Sequence, residues 1–187
     1  MVYLFLIFLA LCALSAWFYV ICPKQEIVRR RKIIEKMTVL RDDVRNHSND
    51  TNALDSLINS LRSEDSFEKT RAAVYLGDLN KLAEPAVHPL MDVLEGSDLF
   101  AAREAAASLG EIGPGATDAI PSLIMAVQRY SQSDIGAFAA RSLGKIADPE
   151  DLKTRTVLKQ AGESPYNLLK NNAILALEEL ERRNKAP

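Results

Sequence analysis

Polar and apolar positions follow three different rhythms along this chain. Residues 2–22, VYLFLIFLALCALSAWFYVIC, show no alternation: the run holds no Asp, Glu, Lys, Arg or His. As a helix rising ~1.5 Å per residue it would reach ~31 Å, close to the hydrocarbon thickness of a bilayer. The second rhythm is helical. Ile33, Met37, Leu40 and Val44 fall at spacings of 4, 3 and 4, and Ile27 and Ile34 widen the stripe. That spacing predicts one amphipathic helix, which the turn-forming stretch NHSNDTN at 46–52 should end.

The third rhythm is a repeat. VYLGDLNKLAEPAVHPL at 74–90 and ASLGEIGPGATDAIPSL at 107–123 align position by position. Leu76-Gly77 falls on Leu109-Gly110, Leu79 on Ile112, Ala83 on Ala116, Ala86 on Ala119 and Leu90 on Leu123, every offset being 33. A third copy of the first half, AFAARSLGKIADPED at 137–151, follows at offset 34, and a worn fourth is NAILALEEL at 172–180 with Glu178 in place of the glycine. Self-similarity at this period predicts stacked two-helix units, none able to bury its apolar face alone.

Each unit reads as helix, turn, helix. In AREAAASLGEI the alanines permit close approach of a neighbour, Leu109 and Ile112 fill the gap, and Gly110 allows tight packing. GPGATDAIPSLIMAV predicts a turn and a second helix, with Thr117 as its N-cap and Pro121 in its first turn. Pro85 should start the equivalent helix one unit earlier, and Asp148-Pro149 and Ser164-Pro165 the last two. No alternating strand pattern occurs.

The motif Leu-Gly-x-Ile followed by Gly-Pro-x-Ala-x-x-Ala-Ile-Pro-x-Leu, residues 109–123, resembles the HEAT-repeat family, in particular the short bacterial HEAT-like type also seen in phycobilisome lyases. The resemblance spans about 66–180 and is most specific at 103–127. It implies an α-solenoid with a curved face for binding proteins, and no catalysis. The fold expected is therefore all-α, a short α-solenoid of HEAT-like helix pairs preceded by a transmembrane helix. The domains expected are an anchor at 1–23, a basic juxtamembrane helix and linker at 24–52, and the repeat domain at 53–187.

Charge refines this picture. Residues 24–46 carry eight Lys/Arg against four Asp/Glu, and residues 47–187 carry fifteen against twenty-one. The basic flank, with Arg29, Arg30, Arg31 and Lys32 at its centre, sets the anchor's orientation and predicts a single-pass protein with its C-terminal domain in the cytoplasm. The same four residues are candidates for contact with anionic headgroups. A cleaved signal peptide is the rival reading of residues 2–22, but no positive segment precedes the run and its apolar core is long. An acidic body argues against nucleic acid as a ligand.

Candidate chemistry is sparse. The two cysteines, Cys12 and Cys22, lie in or at the edge of the apolar run and form neither a disulfide framework nor a metal motif. The two histidines, His47 and His88, supply no convincing catalytic base, and neither forms the His-Glu motif that di-iron HEAT-like proteins use. Gly113-Pro114-Gly115 is a repeat turn, since Pro114 removes an N–H that a phosphate loop would need and no Lys-Ser/Thr follows. No enzyme activity and no cofactor are expected.

What remains is a binding surface. In a two-helix solenoid the second helices usually line the concave face, and between their apolar positions lie His88, Asp92, Glu95, Ser122, Met125, Arg129 and Lys153. These are the candidate contacts for a protein partner that is itself membrane-associated, while Met91 and Ile124 match across the repeat and read as core. The alternative function is a bilin-lyase-like or other enzyme-accessory protein. Oligomeric state is left open.

Overall fold

The structure is a computed structural model that describes residues 22–47 and 51–185. It is helical throughout those residues, with no strand. The chain divides into two compact units, residues 1–36 and 37–187. The apolar run read as a membrane span lies outside the described residues, apart from Cys22. Among the described residues, no helix is long and apolar enough to cross a membrane.

Helix α1 runs Cys22–Asn46, and its first part belongs to the first unit. There Glu26 accepts hydrogen bonds from Arg30 (2.7 Å) and Arg29 (3.1 Å), and Arg31 pairs with Glu35 (3.1 Å). The two arginines hold the Glu26 carboxyl below its usual range, Arg30 contributing most. These are one-turn pairs on an exposed helix surface, where solvent screens them.

In the second unit, α2 (Thr51–Ser60) precedes α3 (Ser66–Asp78) and α4 (Val87–Glu95). Then come α5 (Leu99–Ile112), α6 (Ile120–Arg129), α7 (Asp134–Ile146), α8 (Leu152–Ala161) and α9 (Asn167–Lys185). Helices α3, α5, α7 and α9 pack in series as one layer. Helices α4, α6 and α8 pack in series as the other, each against the first-layer helix that follows it. This is the two-layer stack that the 33–34-residue period demands. The repeated leucines form its core: Leu76, Leu109 and Leu143 in one layer and Leu57, Leu90 and Leu123 in the other are all 0% exposed, as are Leu158 and Leu180 further along, while Leu177, 34 residues after Leu143, is half-buried.

The first layer is held by a recurring seam. A Cβ placed on Gly77 would lie 2.6 Å from Ser108 Oγ, so glycine is what lets α3 and α5 touch. Gly110 meets Ser142 in the same way one unit along. Each buried serine donates across the seam, Ser108 Oγ to the Ala73 carbonyl and Ser142 Oγ to the Ala106 carbonyl, both at 2.7 Å. At the last seam Ala176 takes the serine position against Gly144, and Asn172, one turn earlier, donates instead to the Ala137 carbonyl at 3.0 Å. A hydroxyl buried between helices needs an acceptor, and the neighbouring carbonyl supplies it without loosening the contact.

The compact second unit begins at Met37, earlier than the boundary of 53 expected from sequence. Met37 is 0% exposed and Val44 3%. Thr38 Oγ1 lies 3.1 Å from Tyr75 Oη, and Arg45 donates to the Asp78 carbonyl at 2.7 Å. Helix α2 is itself a repeat element: Ala53, Leu54, Leu57 and Leu61 precede Ala86, Val87, Leu90 and Leu94 by 33. The end of α1 and α2 together therefore stand as a further helix pair, with Val44 where the next unit has Gly77.

The helix starts differ from expectation. Thr117 is not an N-cap: α6 begins at Ile120, after a 3₁₀ segment Gly113–Ala119, and the Ile120 N–H already bonds the Thr117 carbonyl. Likewise Pro85 lies inside the 3₁₀ segment Asn80–Ala86 that precedes α4. Both segments begin at a residue of positive φ, Asn80 at 50° and Gly113 at 81°. These are positions suited to Asn or Gly. The third turn has no such segment, and Asp151 rather than Asp148 caps α8.

Candidate interaction face

The second-layer helices turn Leu90, Leu94, Leu123, Val127 and Leu158 inward and leave their opposite sides to solvent. His88, Asp92, Glu95, Met125, Arg129 and Lys153 are all exposed there, Met125 at 54%. Helix α6 packs against both α4 and α8, so its candidates lie between those of its two neighbours.

Two candidates behave differently from expectation. Ser122 is buried at 5% and donates to Glu95 Oε1 at 2.6 Å. It ties α6 to α4 and is no free contact. Glu95 is thereby fixed in place, with its carboxylate still at the surface. Met91, read as core, is half-buried, whereas Ile124 is buried as expected.

The other candidates have identifiable neighbours. His88 Nε2 stands 3.8 Å from the Asp118 carboxylate, both exposed. Arg129 stacks over the Tyr130 ring at 5.3 Å, a contact that stiffens the guanidinium. Lys153 lies in the first turn of α8, where its backbone N–H bonds Asp151 Oδ1 at 3.0 Å. Asp92 lines a cleft of about 250 Å³ between the ends of α2 and α4, with Leu61, Arg62 and Lys69. A larger cleft of about 410 Å³ occupies the corresponding place between α6 and α8, floored by Val127, Val157 and Leu169 and rimmed by Gln128, Gln160 and Ser164.

Two further residues on this face escape a reading that starts from the best-preserved repeats. Asp55 on α2 lies 33 positions before His88, and Lys159 on α8 lies 34 after Met125; both are exposed. The available signal was the offset itself, carried one unit further in each direction.

The basic residues Arg29, Arg30, Arg31 and Lys32 are exposed on α1 in the first unit. Pairing with Glu26 and Glu35 offsets part of their charge. Among the described residues, no group of His, Cys, Asp and Glu is placed to hold a metal ion.

A further polar cluster lies off this face. Tyr75, 5% exposed, has Arg41 and Arg71 over its ring at 5.2 and 5.1 Å. Burial raises its pKa, but the hydrogen bonds it shares with Thr38 and Arg71 and the two positive charges outweigh that and lower it. Arg41 also pairs with Asp78 at 3.6 Å. The cluster clamps the end of α1 to α3.

The geometry is that of a helical repeat whose outer layer offers charged and polar side chains that the packing does not consume. A family model described as PBS lyase HEAT-like repeat matches residues 101–129, which span most of α5, the Gly113–Ala119 turn and α6. No curated protein matches the chain. The match supports a HEAT-like repeat at the centre of the stack, in agreement with the motif at 109–123.

Proposed function

We propose that this protein is a membrane-anchored docking scaffold without enzyme activity, held by residues 2–22 with its helical stack in the cytoplasm. The observation that carries the reading is the division of labour between the layers. Leucines and the glycine–serine seams hold the stack together, while Asp92, Met125, Arg129 and Lys153 are exposed on the second layer. Helical repeats present such a face to other proteins. A membrane-bound partner would meet it at high effective concentration, so modest affinity suffices. The basic residues at 29–32 support the orientation and would add attraction to anionic headgroups.

Crosslinking in the native membrane, followed by mass spectrometry of the captured species, tests the proposal. A reproducible set of proteins lost on combined Asp92→Lys and Glu95→Lys substitution is the expected result. Capture that survives both substitutions would overturn the face assignment. The matched family description favours one second reading, an accessory to bilin attachment; a bound pigment in the captured material would support it.

A further inference from the structure

The chain contains four glutamines, and three of them line one cleft. Gln128 near the end of α6, Gln132 in the turn after it and Gln160 near the end of α8 line the opening of about 410 Å³ between these second-layer helices. All three are exposed, and among the described residues none of their amides is hydrogen-bonded to another group of the chain. The floor is apolar, formed by the buried Val127, Val157 and Leu169.

A counterpart cleft lies two repeats earlier, between α2 and α4, and its lining is charged. Arg62 there corresponds to Gln128, Val93 to Gln160 and Asp98 to Pro165, at offsets of 66, 67 and 67. The same place in the fold carries Arg62, Lys69, Asp92 and Asp98 in one case and free amides over an apolar floor in the other. Glu163 is the single ionisable residue that lines the second cleft; Arg129, Lys153 and Lys159, on the same two helices, do not line it.

This chemistry selects the occupant. A primary amide offers a carbonyl acceptor and two N–H donors, the complement of a peptide group. An extended segment has main-chain N–H and C=O groups to offer, whereas a helix has already paired its own. A lipid tail would leave the amides without partners, and nucleic acid would need cations that this lining lacks. The volume, at the lower end of the range for ligand clefts, suits one large apolar side chain and the peptide groups beside it. We infer that this cleft binds an extended, uncharged segment of a partner protein, seating one apolar side chain on Val127, Val157 and Leu169 and pairing its main chain with Gln128, Gln132 and Gln160. The inference rests on the reading of the second layer as the docking surface and names what the partner presents there.

Selection of a phage-displayed library of random linear peptides on the full chain tests this. The chain is held in lipid nanodiscs, because detergent would compete for the apolar floor. Counter-selection uses the Gln128→Ala, Gln160→Ala double variant, with circular dichroism to confirm folding. The enriched peptides should share one large apolar residue among uncharged neighbours. In fluorescence anisotropy the double variant should bind them at least about tenfold more weakly, as expected for two lost hydrogen bonds. Ser131→Trp, at an exposed lining position, should block them. N-methylation of the peptide beside its apolar residue should also weaken binding about tenfold to wild type and much less to the double variant, since the partner amides are already gone. No enrichment over the counter-selected background, peptides that bind both variants like wild type, or an N-methyl effect that persists in the double variant would each overturn the inference. So would native mass spectrometry showing a lipid or pigment held by wild type and lost with Ser131→Trp, or self-association lost on the same substitution. If capture in the native membrane is lost on Asp92→Lys with Glu95→Lys but the cleft enriches no peptide, the cleft assignment falls and the docking function stands.

Discussion

The glycine–serine seams couple residues that lie on different helices, and substitutions should reveal this. Replacing Gly77 by Ala puts a methyl 2.6 Å from Ser108 Oγ and 3.0 Å from its Cβ, which the packed seam cannot absorb freely. Overpacking of this kind costs about 1–3 kcal/mol. Ser108→Ala alone should cost about 0.5–1.5 kcal/mol through its lost hydrogen bond to Ala73. Combined, the two should cost less than their sum, since the nearest clashing atom has gone. Urea unfolding of the four proteins checks this, and strict additivity would mean that the seam does not couple them. Leu109→Ala, fully buried, should cost about 2–5 kcal/mol, whereas exposed Arg129→Ala should stay within about 0.5 kcal/mol. Equal shifts in melting midpoint would contradict the assignment of inner and outer positions.

Elements differ in how their ends are secured, and pH exposes the difference. Asp151 caps α8 through Thr154 Oγ1 at 2.6 Å and the Lys153 N–H at 3.0 Å. The Thr154 hydrogen bond does most to hold its carboxyl below the ordinary value of 3.8. Because the folded pKa is the lower one, this contribution is complete above pH 3.8 and declines as pH falls through the folded value. Asp151→Ala should therefore cost about 1 kcal/mol near neutrality, and the gap from wild type should close on acidification below the usual carboxylate range. Thermal melts of both proteins across that interval decide it; a gap independent of pH would mean the cap acts through packing alone. No such titration should follow substitution at Thr117, because the start of α6 is secured by backbone bonds from the preceding 3₁₀ segment.

At the scale of the molecule, the extra helix pair at the start of the stack makes a prediction about truncation. A fragment beginning at Met37 keeps Met37, Val44 and the Arg41–Tyr75–Arg71 cluster; one beginning at residue 48 loses them and uncovers α3. Both should be helical, but the shorter should melt several degrees lower and less cooperatively, as repeat arrays do when a terminal unit is removed. Equal midpoints would show that the end of α1 is not part of the stack. Topology belongs to the same scale. A reporter fused after Pro187 should be active only in the cytoplasm, and residues 2–22 should persist in the mature chain. A mature N-terminus near Ala16, or attack by external protease, would refute the anchored orientation.

The sequence alone was enough for the helical class, the 33–34-residue unit and the inward positions of Leu76, Leu109 and Leu143. Those follow from periodicity, and a buried stripe must recur wherever the same helix pair recurs. It also marked the second-layer residues His88, Asp92, Met125, Arg129 and Lys153, whose exposure follows from lying opposite that stripe. Tertiary structure decided what depends on a neighbour distant in the chain. Ser122 looks like any polar surface residue until Glu95 is brought within 2.6 Å of it. The seam serines look like ordinary helix residues until a carbonyl 35 or 36 positions away accepts from them. Met37 and Val44 belong to the stack because Tyr75 and Asp78 hold the end of α1, and no local pattern around α1 contains either partner. Local spacing records which side of a helix is apolar; which helix covers that side is settled only when the layers pack.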